Sequence, residues 1–179
     1  MSLSELKTRR SIRKYTDKEV EKEKIDKIIK GALMSPSANN NCPWEFIVVT
    51  DDNVLDKLAD SKTGGSQFLG DASVGIVVCA DPEGSDVWVE DTAIVAMDMM
   101  LVAEELDLGS CWIQIRNRMH SDNEDSNTYV KRTLDIPDNL VVDSIISIGY
   151  PAEEKSAHKE EDLLYNKVYS NKYKNEYYK

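Results

Sequence analysis

Apolar positions along the chain fall into two periods. Ile25, Ile28, Ile29, Ala32 and Leu33 recur at helical spacing, which predicts a helix over 21–34 with one buried face, ended by Ser35-Pro36. Residues 89–106 are apolar nearly all round, with Ile94, Val95, Met97, Met99, Met100, Leu101 and Val102, and predict a central core helix stopped by Gly109. Asp98 is its one expensive residue, a carboxylate in an apolar stretch, and reads as a structural or interface residue before a catalytic one. Shorter helices are expected over 53–58 and 124–134. Ser2 and Glu5 have capping-box spacing ahead of a first helix with Leu3 and Leu6 on one edge. Strands are expected over 45–50, 74–80, 110–115 and 141–148, the last alternating with Val142, Ser144, Ile146 and Ile148 on one side. Residues 61–70 read as a glycine-containing surface segment.

The 179 residues fit one domain, and 41% apolar with 31% charged residues is a globular composition. No apolar run approaches a membrane span and the N-terminus carries no signal-like segment, so the expected location is cytoplasmic. Cys42, Cys79 and Cys111 lie far apart without a C-x-x-C, and with only His120 and His158 besides, neither a disulfide framework nor a metal site is expected. Nucleophile-elbow, Walker A and G-x-G-x-x-G motifs are absent.

Residues 7–14 change this picture, because they carry five cations and no acid in a chain of formal net charge -11. The acidic total repels nucleic acid and anionic membrane, so neither is an expected partner. Two readings remain: a local anion site, for which Arg forks beside Ser11 suit a phosphate monoester, or a solvated basic turn paired with surface acids. Residues 36–44 place Asn39, Asn40 and Asn41 between Pro36 and Pro43, followed by Trp44. Their amides suit the edge of a heterocycle that alternates carbonyl and N–H groups; the alternative is an Asx-turn loop before a strand. In 151–179, Tyr165, Tyr169, Tyr173 and Tyr177 recur every four residues. That spacing suits a helical stripe laid on another subunit, or else the segment is a frayed polar tail.

Three segments together resemble the FMN-dependent nitroreductase family over nearly the whole chain. Arg9-Arg10-Ser11-Ile12-Arg13-Lys14-Tyr15 is similar to its amino-terminal phosphate-binding signature. Residues 36–44 resemble its P-S-x-x-N-x-Q-P-W loop, with Asn40 in the flavin-contacting position. Residues 96–103, Leu108-Gly109-Ser110-Cys111-Trp112-Ile113 and Gly149-Tyr150-Pro151-Ala152-Glu153-Glu154 resemble its core helix, G-L-G-x-x-W-I segment and terminal strand. Two departures stand out: Cys42 replaces the usual Gln, and Asp107 replaces a frequent Gly. The short segment 81–89 also lacks the helical insertions that roof the flavin in many relatives.

The resemblance implies an α+β fold with a central, mainly antiparallel sheet flanked by helices. It also implies an obligate homodimer: residues 1–150 form the FMN-binding domain and 151–179 an arm crossing to the partner. Carried over by position, Arg9, Arg10, Ser11 and Arg13 would hold the FMN phosphate and ribityl chain, with Lys159 or His158 completing the phosphate site. Ser37, Asn40 and Cys42 would approach the ring, and Trp112, Ile113, Gln114 and Ile115 would line its other side. The implied activity is ping-pong hydride transfer from NAD(P)H through FMN to an electron-poor small molecule such as a nitroaromatic or quinone. Reductive dehalogenation, flavin-modifying oxygenation and non-catalytic flavin binding are the alternatives.

Overall fold

The computed structural model describes residues 3–178. The helices are α1 (Leu3–Thr8), α2 (Lys22–Leu33), α3 (Asp52–Ala59), α4 (Trp88–Glu105) and α5 (Ser126–Leu134), and the strands are β1 (Trp44–Val49), β2 (Val74–Ala80), β3 (Gly109–Gln114) and β4 (Val141–Gly149). Every strand and longer helix expected from the pattern is present, within two residues at most ends. Ser2, the expected N-cap of α1, lies outside the described residues; α1 itself buries none of its residues.

The strands form one sheet in the order β1-β2-β4-β3, antiparallel at each junction. Both faces are covered. Val74, Ile76, Val78, Ile146 and Ile148 pack with Val95, Met99 and Ile28 from α4 and α2. On the other face Val77, Cys79, Ile113 and Ile145 pack with Leu55 and Leu58 of α3, Val130 of α5 and Leu69. Full burial on both sides explains why β2 is apolar without alternation. Each large side chain removed from water in this way contributes about 1.5–3 kcal/mol.

Four expectations are corrected. First, Val142 does not share a side with Ile146 and Ile148: the register slips between Val78/Ser144 and Cys79/Val142, so Asp143 is the extra residue of a bulge and Val142 turns to the opposite core. Second, Asp98 is only half-buried and accepts a 2.6 Å bond from Ser35 Oγ; the buried carboxylates are Asp91 and Asp143. Third, segment 61–70 is not simply a surface loop, since Ser61, Ser66 and Leu69 are fully buried. Fourth, the tyrosine-rich tail forms no helix beyond two single turns. Its rings pair with one another, Tyr169 with Tyr173 and Tyr165 with Tyr178, and Tyr173 and Tyr177 stay exposed. Leu33 is a smaller departure, exposed at the end of α2.

Candidate functional site

The basic segment is placed by its two apolar residues. After α1 the chain runs beside the start of β3, where Ile12 N donates to Ser110 O at 3.0 Å, and then beside the end of β4, where Thr16 N donates to Tyr150 O at 2.9 Å. Ile12 and Tyr15 are buried there against two glycines. A Cβ on Gly109 would come within 2.8 Å of Ile12, and one on Gly149 within 2.8 Å of Tyr15. Only glycine allows this approach. The Tyr15 hydroxyl donates to Ile12 O at 2.8 Å and lies 2.7 Å from Ser147 Oγ, and burial pushes its pKa up. With Ile12 and Tyr15 fixed, the residues between and before them are fixed as well.

Arg9, Arg10, Ser11 and Arg13 therefore stand half-buried or exposed around the first residues of β3. The Cys111 thiol marks their meeting point: burial pushes its pKa up, while Arg13, Ser11, Lys155 and Arg9 all pull it down. Lys155 Nζ donates to Ser11 O at 2.8 Å and also pairs with Glu153 at 3.4 Å. Glu153 Oε1 accepts the Arg13 backbone N–H at 2.6 Å, which holds its carboxyl below the usual range. Arg10 donates to the carbonyl of Ser156, and the Arg13 guanidinium sits 5.7 Å from the Phe68 ring centroid. Among the described residues, Arg9, Arg10 and Arg13 pair with no carboxylate, despite the chain's -11 charge. A basic turn serving only surface ion pairs would not leave all three guanidinium groups without acids. The cluster is suited to an external anion.

Lysine placement differs from expectation. Lys159 pairs with Glu161 at 3.3 Å on the exposed tail, and His158 meets the cluster's chain only through its backbone N–H to Lys7 O at 2.9 Å. Lys155 is the late cation beside Ser11. Its signal was available in sequence, four residues after the Pro151 that pairs with Tyr15 in a bridge, but the pairing itself was not.

The asparagine loop is a tight, non-repeating structure. Asn39, Asn40 and Cys42 adopt φ of 51°, 57° and 47°, a region open mainly to Asn and Gly. Ser37 Oγ accepts from Cys42 N at 2.9 Å, which closes the loop, and Cys42 is exposed. Ala38 N donates to Asp91 Oδ1 at 2.9 Å.

β3 is an edge strand, so every second residue turns its backbone groups away from β4. Ser110 spends its outward carbonyl on Ile12; Trp112 and Gln114, in the same phase, direct theirs to the open edge. Trp112 Nε1 donates to Gln114 Oε1 at 3.0 Å, and Gln114 Nε2 to Arg116 O at 3.0 Å, so both side chains are held. The Ile113 and Ile115 side chains are in the core, leaving them only backbone and support roles. A cleft of about 1630 Å³ lies elsewhere, between Val20, Ile25, Val48 and Ala72. A shallower one of about 400 Å³ adjoins Arg10, Gly109 and Lys155.

A model of the nitroreductase family matches residues 6–65 and 60–150. The chain is 42% identical over 159 residues to an Archaeoglobus fulgidus protein named for NADH dehydrogenase and NAD(P)H nitroreductase, covering 87% of this chain and 88% of that one. It is 30% identical over 108 residues to the FMN reductase [NAD(P)H] of Bacillus subtilis, covering 60% of this chain and 43% of that protein. Among solved structures, the FMN-dependent nitroreductase of Clostridium difficile R20291 superposes with a TM-score of 0.95 at 51% identity, over 96% of this chain and 100% of that one. Matched over most of its length by the family model and by a relative of 42% identity, the chain belongs to the nitroreductase family.

Proposed function

We propose that the chain is an FMN-dependent NAD(P)H oxidoreductase whose arginine segment holds the flavin phosphate. The observation that carries this reading is the set of three guanidinium groups with no carboxylate partner among the described residues, beside Ser11 and Lys155. Arg9, Arg10, Arg13 and Lys155 supply charge and Ser11 a short hydrogen bond, the donor set a phosphate monoester takes. Ser37, Asn40 and Cys42 border the ring, and the outward backbone of Trp112 and Gln114 meets its reactive edge. Bound FMN supplies a two-electron carrier between NAD(P)H and an electron-poor acceptor, a nitroaromatic or quinone, in a ping-pong cycle. The protein's part is to position, to exclude water and to place donors where negative charge develops. No nucleophile or acid/base pair is required of it.

The open site in one chain supports a homodimer, in which a second subunit walls the ring and receives the exposed Leu164, Tyr173 and Tyr177 of the tail. Residues 151–158 stay tied to the basic segment, so the crossing arm starts beyond them. No helix among the described residues is long and apolar enough to cross a membrane, in keeping with a cytoplasmic enzyme and a small-molecule partner.

The test is the visible spectrum of purified protein before and after NAD(P)H. A flavin spectrum that bleaches supports the full reading. Flavin that stays oxidised reduces the protein to a flavin carrier, and colourless protein that takes up no added FMN removes the phosphate assignment.

A further inference from the structure

The loop that carries Ser37, Asn40 and Cys42 does not hold its shape by itself. Asn39, Asn40 and Cys42 sit at positive φ, each at a cost of about 1 kcal/mol or more unless the surroundings enforce it. The bonds within the loop are short-range: Asn40 N to Ser37 O, Asn41 N to Ala38 O, Cys42 N to Ser37 Oγ, and Ser37 Oγ to Cys42 Sγ at 3.7 Å. The ties from its first half to another element both end on carboxylates of α4. Asp98 Oδ2 accepts from Ser35 Oγ at 2.6 Å, and Asp91 Oδ1 accepts from Ala38 N at 2.9 Å.

The spacing of these ties is matched. Asp91 and Asp98 are two helical turns apart on one face of α4, a rise of about 10.5 Å. Ser35 and Ala38 are three residues apart, and extended chain advances about 3.3 Å per residue, roughly 10 Å in all. Ser37 is extended, with φ −139° and ψ 161°. The segment thus runs along α4 pinned at both ends. Asp91 is only 3% exposed, and its second oxygen accepts from the buried Ser85 Oγ at 3.0 Å, which orients the carboxylate toward Ala38. A buried carboxylate is expensive, and a core helix could have had an apolar residue at that position.

We propose that Asp91 and Asp98 form a two-point clamp that sets the loop's geometry and so act as positioning residues for the flavin ring; the functional half of this rests on the FMN reading above. Cys42 reports on the clamp without any flavin. It is the exposed cysteine of the loop, while Cys79 and Cys111 are buried and serve as internal controls.

The experiment measures the rate at which Cys42 is modified by an aromatic disulfide reagent, in holoprotein and in flavin-stripped protein, together with the FMN dissociation constant. In the stripped protein Asp91→Ala raises the Cys42 rate about fivefold or more, because the loop geometry that holds the exposed thiol on Ser37 Oγ, 3.7 Å away, is lost. Asp91→Asn, whose amide oxygen can still accept from Ala38 N, stays within about twofold of the unmodified chain, and Asp98→Ala falls between. FMN affinity follows the same order, with about a tenfold loss for Asp91→Ala, the equivalent of ~1.4 kcal/mol. Should Asp91→Ala not fold, Ala38→Pro removes only the donated N–H, at a position preceded by an extended residue, and gives the same rise. A folded Asp91→Ala or Ala38→Pro protein with an unchanged Cys42 rate overturns the clamp. Faster Cys42 modification with unchanged FMN affinity keeps the clamp and overturns its role at the flavin. A chain that binds no FMN at all overturns the functional reading while the thiol rates still decide the clamp.

Discussion

The two ends of the chain make an instructive pair. Both are chemically biased, the first toward cations and the last toward tyrosines, yet one is fixed by backbone bonds and buried anchors and the other lies on the surface. The difference is not in the functional groups. Segment 9–15 contains Ile12 and Tyr15, which enter gaps left by Gly109 and Gly149, and its backbone joins the sheet edge. The tail after His158 has rings and no gap to put them in: Tyr173 is 78% exposed and Tyr177 61%. Charged side chains are positioned here by buried neighbours, whereas aromatic ones with no gap to enter stay on the surface.

The largest effect expected in breaking this contrast comes from filling a gap. Gly149→Ala puts a methyl 2.8 Å from the ring of Tyr15, which cannot swing away because its hydroxyl is bonded at both Ile12 and Ser147. A loss of about 1–3 kcal/mol in urea unfolding is expected, with FMN affinity falling alongside; unchanged stability would show that Tyr15 is not the anchor. Tyr15→Phe leaves the packing and removes the hydroxyl, leaving Ser147 and Ile12 O short of a partner. It should cost about 1–2 kcal/mol in the same assay.

A smaller effect is expected at the junction of the two ends. The bond from Arg13 N lowers the Glu153 carboxyl, so the folded state binds this proton less readily than the unfolded chain does. Its contribution is present above the ordinary glutamate range and is lost as pH falls through the lowered value. Glu153→Gln should therefore lower FMN retention at neutral pH toward the level the unmodified chain reaches in acid, and so flatten the acid limb. The opposite sign is expected for Asp143, whose carboxyl burial pushes up: stability falls as pH rises from the ordinary aspartate range through the raised value. Asp143→Asn should remove that slope in thermal melts.

Smallest for the single chain is the loss of the tail. Deleting residues 163–179 removes no core contact and should change urea unfolding of the monomer by less than about 1 kcal/mol. Light scattering on the same protein should then show monomer where the full chain gives dimer. A truncated chain that stays dimeric would assign the tyrosines no part in assembly.

How much of this could be read from sequence followed from the range of the forces involved. The strands and longer helices announced themselves because a buried face writes its period into local sequence, as at Ile28 and Ala32 or through β2. The arginine cluster was visible as a charge anomaly, but not its lack of acid partners, which depends on what the sheet brings near. That Lys155 lies beside Ser11, nearer than Lys159 or His158, depends on the Tyr15–Pro151 bridge and could not be read locally. Val142 was assigned to the wrong face because one bulged residue inverts a period of two. Asp98 drew attention as the charge within the most apolar stretch, whereas Asp91, beside Glu90, looked like an ordinary first-turn acid and is the more buried. The tail's four-residue spacing was real, but spacing makes a helix only where a surface takes the stripe.

The arrangement of the basic segment also fixes an order in time. Arg10 reaches a carbonyl 146 residues further along the chain, and Ile12 and Tyr15 need strands that are made after residue 100. At synthesis rates of about 5–20 residues per second, the basic segment waits roughly 7–30 s for the residues it binds. During that interval the nascent chain presents five cations and two unburied anchors with nowhere to go. The arginine cluster is then among the last parts to form, and a ligand that binds it would act on the completed fold, not on its assembly.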